Sequence, residues 1–195
     1  MMGVINNAYL NSCSSLIISK YYGDIEDLKT APLSDFVIIN ALSLASCVRG
    51  IIVASVIFFV GEVFSELCIG STLLPERPLL VLYFLIIAGC SFGVLGAAIG
   101  AKAKTFEMLN SISQFILLPL IYLGGVFYSI NYLPPFWQKI ALCNPMFYYI
   151  DGMRYAFFSV SEISPILSFS VTLVFFLSLY GIAYKIVATS SFKRP

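Results

Sequence analysis

Five stretches of the chain, residues 1–19, 36–61, 79–101, 108–128 and 165–188, each offer about 20 mostly apolar residues, the length that crosses a bilayer. The first is the weakest, because Asn6, Asn7, Asn11 and several serines interrupt it. A water-soluble fold is excluded by the complementary shortage. Charged residues make up 11% of the 195, against about 25% in soluble domains, too few to cover a globule of this size. Backbone polar groups in lipid must be satisfied within the segment, so such spans fold as helices. The expected fold is an all-α membrane protein, a polytopic bundle of about five transmembrane helices in a lipid bilayer. A net charge of +1 leaves no basic face for nucleic acid.

What the chain lacks narrows its chemistry. It contains no histidine, which removes Ser-His-Asp and Cys-His catalysis, the HExxH zinc site and the imidazole proton shuttle. No lysine follows a glycine, so the phosphate-cradling GxxxxGK[ST] loop is absent. Cys13, Cys47, Cys68, Cys90 and Cys143 form no CxxC pair. Cys13, Cys47 and Cys90 lie in apolar runs and read as packing residues. Cys68 and Cys143 fall in expected loops on one side, without spacing that supports a disulfide. No catalytic residue, cofactor or metal ligand is assigned.

Lysine and arginine set the orientation. Lys20, Lys29, Lys102, Lys104, Lys185, Lys193 and Arg194 fall on one side of the expected spans, and Arg77, Lys139 and Arg154 on the other. The richer side is expected to be cytoplasmic, which puts the C-terminus inside and the N-terminus outside. No basic flank or small-residue cleavage site of a signal peptide precedes the first span.

Two connections carry most of the information. In the cytoplasmic loop, residues 20–35, Asp24 can cap a short helix that Pro32 ends, with Ile25 and Leu28 on one face and Glu26 and Lys29 beside them. One or two such turns cannot stand alone in water, so the loop reads as a solvated turn or as a knob for a cytoplasmic partner. On the outer side, residues 129–164 are neither a clean span nor a polar loop. Pro134 and Pro135 suit a helix start, Phe136 and Trp137 begin a short amphipathic run, and Asn144-Pro145 breaks the chain before a second short helix. Residues 122–158 hold 12 of the 30 aromatics, where an even spread gives about 6, and tyrosine and tryptophan favour the headgroup level. The expectation is a re-entrant helical hairpin dipping into the outer leaflet.

Residues 119–158 resemble the signature of the type-2 ABC transporter permeases, the membrane subunits of bacterial exporters. The resemblance rests on Pro119, Leu123-Gly124-Gly125, Phe127-Tyr128-Ser129, Leu133-Pro134-Pro135-Phe136-Trp137, Asn144-Pro145 and Arg154, in order within one window. Glu26, Leu28, Ala31 and Pro32 are similar to the family's loop between its second and third spans, where a short coupling helix meets the ATPase. The resemblance implies one transmembrane domain over residues 1–195, located in the bacterial inner membrane. It implies a separate ABC ATPase subunit docking on Asp24, Ile25, Glu26, Leu28 and Pro32, and a homodimer of permeases. The cargo would be a drug, a lipid-linked glycan or a polysaccharide, moved without chemical change. Family permeases have six spans with both termini inside, so the motif alignment predicts an N-terminally truncated chain lacking the first span. The alternatives are a non-functional fragment or a membrane-embedded transferase. The transferase is disfavoured by acids scattered over five regions, and a secondary transporter by the absence of inverted repeats.

Four further groups carry specific expectations. Arg49, inside an apolar span, either snorkels to the headgroups or faces the translocation path. Glu62 and Glu66 mark the outer end of the second span. Asp151 and Arg154, three apart, are expected to pair. Asn6, Asn7 and Asn11 share a face suited to interhelical hydrogen bonds.

Overall fold

The computed structural model of the chain describes residues 1–23, 34–70 and 72–189, and among them every regular element is helical. In order these are α1 (Met2–Tyr22), α2 (Asp35–Ile69), α3 (Pro78–Lys102), α4 (Phe106–Leu123), α5 (Pro135–Cys143), α6 (Pro145–Phe158) and α7 (Pro165–Thr189), with a 3₁₀ turn at Ile130–Tyr132. Proline opens α3, α5, α6 and α7, where its missing N–H is no loss and its fixed φ suits the first turn. At the end of α2 the left-handed Gly70 (φ 69°) turns its N–H back to the carbonyls of Ser65 and Glu66. Within α4, Ser113–Leu117 widens into a π turn, and the Leu118 N–H bonds Ser113 O five residues back. Pro119 follows at once, and it has no N–H to give to either ladder.

Four of these helices, α2, α3, α4 and α7, are long and apolar enough to cross a membrane. α1, expected as a fifth, is long enough at 21 residues but does not reach that apolarity, because Asn6, Asn7, Asn11 and its serines lower its mean hydropathy. Val4, Ile5, Ala8, Tyr9, Cys13 and Ile17 are all 1% exposed or less. α1 is therefore an interior helix, whereas α2 and α7 turn Phe59, Phe64 and Ile166 outward, as lipid allows.

α3 is the hub. It runs parallel to α1 (Cys13–Gly96, then Lys20–Gly100) and α7 (Phe169–Tyr83, then Phe175–Phe92), and antiparallel to α2 (Ser43–Cys90, then Cys47–Ile86) and α6 (Tyr149–Ser91, then Ala156–Arg77). Two glycine pairs bring the backbones close. A methyl group at Gly89 or Gly93 would lie 2.8 Å from Cys47 Cα or Ser46 Cβ on α2, and one at Gly96 would lie 2.4 Å from Tyr9 O on α1. Small residues four apart let helices meet at backbone distance, where dispersion and interhelical hydrogen bonds replace the missing hydrophobic drive.

Lys20 and Lys102 fall in the last turns of α1 and α3, Lys185 lies just before the last turn of α7, and with Lys104 they gather at one end of the bundle. The opposite end carries the hairpin α5–α6. The second span was expected to stop at residue 61, but α2 continues to Ile69, and Glu62 Oε2 accepts from Leu73 N at 2.9 Å. Cys68 and Cys143, expected in loops, end α2 and α5 instead, and all five cysteines are free.

Candidate functional site

Several of the residues on which the resemblance rests, Gly124, Gly125, Asn144 and Arg154 among them, meet at the junction between α4 and the hairpin. Gly124 ends α4, and a Cβ there would sit 2.8 Å from Ile150 Cδ1 and 3.0 Å from Ile121 O. Gly125 takes φ 77°, a conformation that costs other L-residues roughly 1–2 kcal/mol. This turn presents Gly125 O to Arg154 Nη2 at 2.7 Å. Asn144 holds the far tip of the hairpin. Its Oδ1 caps α6 by accepting from Met146 N at 3.0 Å, and its Nδ2 donates to Leu120 O on α4 at 2.6 Å. α6 then passes alongside α3. Tyr149 Oη lies 2.8 Å from Ser91 Oγ, roughly midway along α3, and Gly152 packs its bare backbone on the Phe84 ring. At its end α6 returns to the start of α3, where Arg77 N bonds Ala156 O at 3.0 Å and the Arg77 guanidinium lies 4.0 Å over the Tyr155 ring.

The expected pair Asp151–Arg154 is corrected. Arg154 Nη1 pairs with Glu162 Oε1 at 2.9 Å, and it is the only ion pair among the described residues. Glu162 Oε2 accepts from Ile130 N at 2.8 Å, and the Glu162 N–H donates to Asp151 Oδ1 at 2.9 Å. The helix spacing that suggested the pair ends at Phe158. Ser159, left-handed at φ 54°, turns the chain back so that Glu162 arrives from the loop instead. Ser159 Oγ also bonds Glu76 Oε2, closing this loop onto the start of α3. Arg154 thus clasps three segments: the end of α4, α6 and the loop before α7.

Asp151 is fully buried, and its Oδ2 has no hydrogen-bond partner. Burial pushes its carboxyl above the ordinary value of 3.8, while the Glu162 N–H and the Arg154 charge pull the other way. A carboxyl raised in the folded state contributes stability that is full below 3.8 and is lost as pH rises through its folded value. Wild type is therefore expected to gain melting temperature relative to Asp151→Asn as pH falls toward 3.8. At neutral pH the variant, which keeps an acceptor for Glu162, should be at least as stable. Parallel melting curves against pH for the two proteins would sink this account.

Phe127 and Trp137 stand apart from the clasp. They are 75% and 46% exposed and contact Tyr122 and Phe136 through their rings. Pro134 sits just before α5 and accepts from Gln138 N through its carbonyl at 3.1 Å, and Gln138 Nε2 donates to Leu133 O at 2.9 Å. Asp24, Ile25, Glu26, Leu28 and Pro32 lie outside the described residues.

A polar seam joins α1 to its neighbours. Ser12 Oγ lies 2.6 Å from Ser46 Oγ, Asn11 Nδ2 donates to Ser46 Oγ at 3.2 Å, and Arg49 Nη1 donates to Asn11 Oδ1 at 2.7 Å. Ser113 Oγ donates to Asn6 Oδ1 at 2.8 Å, whereas Asn7 bonds its own helix at Gly3 O. The guanidinium of Arg49 is turned toward α1, so Asn6 and Asn11 serve between helices as expected and Asn7 does not. Ser46 and Glu162 were not foreseen. Nothing in helical spacing points to a loop acid, although Ser46 does lie one turn from Arg49.

Apolar helices around a buried hub, with a hairpin clasped at one end, define a polytopic all-α membrane protein. The ABC-2 type transporter family matches residues 1–158. The Escherichia coli inner membrane transport permease YadH is 35% identical over 187 residues, covering 96% of this chain and 71% of that protein. The putative transport permeases ycf38 of Pyropia yezoensis and Porphyra purpurea are 27% and 28% identical, covering 78% and 76% of this chain and 51% and 50% of theirs. No solved structure matches the chain. The chain belongs to the ABC-2 type transporter family.

Proposed function

We propose that the chain is the membrane-spanning permease of an ATP-driven exporter in a bacterial inner membrane, working as two copies with two separate ATPase subunits. The observation that carries this reading is the polarity of the bundle. Lys20, Lys102, Lys104 and Lys185 gather at the end where residues 24–33 join α1 to α2, and the hairpin sits at the other end. Basic residues stay in the cytoplasm, so the loop faces the side where ATP is hydrolysed and the C-terminus lies there too. ATPase closure would push on the stretch containing Asp24, Ile25, Glu26, Leu28 and Pro32, and would tilt the spans attached to it. The cargo is a drug, a lipid-linked glycan or a polysaccharide. The hairpin then enters the outer leaflet without crossing it.

The decisive test is Leu28→Asp. It is expected to abolish co-purification of the ATPase without preventing membrane insertion, and unchanged pull-down would remove the docking assignment. Topology is tested separately with Gln138→Cys in a chain stripped of its native cysteines. An impermeant thiol reagent is expected to label it from outside, and labelling from the cytoplasmic side alone would invert the bundle.

A further inference from the structure

The last turn of α1 is built as a clamp. Lys20 is 8% exposed, and its ammonium donates to Gly100 O at 2.8 Å, Ala101 O at 2.7 Å and Ala103 O at 3.0 Å. Three N–H donors therefore meet three carbonyls at the end of α3, where the helix leaves its last carbonyls unpaired and its dipole is negative. One residue on, the Tyr21 ring stacks on Phe106 at 6.0 Å between centroids and 6° between planes. Phe106 is the first residue of α4. Deeper in α1, Tyr9 Oη donates to Leu109 O at 3.3 Å. Ala103, between the two grips, is 1% exposed. α1 thus holds both ends of the short connection from α3 to α4. Burying an ammonium is costly unless every donor is used, and a Met or Leu would fill the same space without that cost. What Lys20 adds is direction: three bonds that fix α1 to α3 along the helix axis as well as across it.

We propose that Lys20 is a positioning residue that makes the last turn of α1 and the α3–α4 connection move as one body. A displacement delivered just after α1 then reaches α3, the helix on which α1, α2, α6 and α7 pack. This rests on the proposed ATPase contact at residues 24–32. A permease without the clamp would still bind its ATPase, but the push would stop at α1.

The test uses the full chain, its five native cysteines replaced, reconstituted in vesicles with the ATPase that co-purifies with it. Single reporters are introduced as Tyr22→Cys on the α1 side or Lys104→Cys on the α3–α4 side, and maleimide labelling is timed with and without ATP. In the otherwise wild-type chain, ATP is expected to change the labelling rate several-fold at both reporters. With Lys20→Met, the ATP response is expected to persist at position 22 and vanish at position 104, and Lys20→Arg, which can still donate to the carbonyls, restores it. A merely structural lysine would alter both reporters or neither. An undiminished response at position 104 in Lys20→Met, or a starting response at position 22 alone, overturns the clamp and leaves the ATPase contact standing. A response at neither reporter, or no co-purifying ATPase, overturns the contact and the clamp with it. Should Lys20→Met fail to fold, Tyr21→Leu alters a side chain that is 57% exposed. It must reduce the response at position 104, and a full response there also overturns the clamp.

Discussion

Gly96→Ala is expected to lower the melting temperature of the detergent-solubilised protein more than any other single methyl group added to α3. The new Cβ would stand 2.4 Å from Tyr9 O and 3.0 Å from Ser12 Cβ. A carbonyl in the middle of a packed helix cannot rotate away, so α1 as a whole would have to retreat from the hub. Overpacking a tight interior costs about 1–3 kcal/mol, and a clash with rigid backbone belongs at the top of that range. Helix propensity opposes it by about 1 kcal/mol, since alanine is the better helix former. Gly61→Ala isolates that opposing effect, because nothing lies within 4 Å of the added methyl. It should be neutral or slightly stabilising. Equal melting of the two variants would mean that Gly96 does not set the spacing of α1 and α3.

Arg154→Met should loosen the hairpin. It removes the ion pair to Glu162 and the hydrogen bond to Gly125 O together. Truncating one side of a buried charge pair costs about 2–5 kcal/mol. With side-chain exposures of 25% for Arg154 and 10% for Glu162, water screens part of this, and about 2–3 kcal/mol is the expected loss. Lysine should restore little, because one ammonium cannot serve both acceptors with the geometry of a planar fork. Adding Glu162→Gln to Arg154→Met should recover part of the loss, since no carboxylate is then left without its cation. Strict additivity of the two substitutions in melting and in protease cleavage between α4 and α5 would argue against the clasp.

The fold class could be read from apolar run length alone, because lipid leaves a chain with so little charge no other solution. Proline spacing was similarly informative: Pro134-Pro135 was read as a helix start and Asn144-Pro145 as a break before a second helix, and α5 and α6 begin at Pro135 and Pro145. Hydropathy could rank α1 only as a weak span, since it averages over a helix and cannot register that Asn6, Asn11 and Ser12 each have a partner on another helix. The pairing of Arg154 was misjudged for a related reason. Asp151 and Arg154 do share α6, but i, i+3 spacing cannot register a competing acid beyond the helix, and the turn at Ser159 brings Glu162 back to Arg154. Gly89 and Gly93, and Gly96 and Gly100, form two pairs four apart in the sequence, but which pair meets which helix is a property of the packing. Lys20 looked like one more cytoplasmic charge, and only the position of the α3 terminus reveals what it holds.

The π turn in α4 has a consequence for register. A π turn takes in one residue more than the α turn it replaces, so the helix beyond it is rotated by about 100° relative to an uninterrupted one. Ser113, at its start, faces Asn6 on α1, while Ile121, beyond it, reaches the core and Leu120 offers its carbonyl to Asn144 at the hairpin tip. One helix therefore shows two differently phased faces to two partners, and the extra residue is the gear tooth that sets their offset. Loss of a single residue from Ser113–Leu117 would leave composition and hydropathy nearly unchanged, yet turn Leu120 away from Asn144.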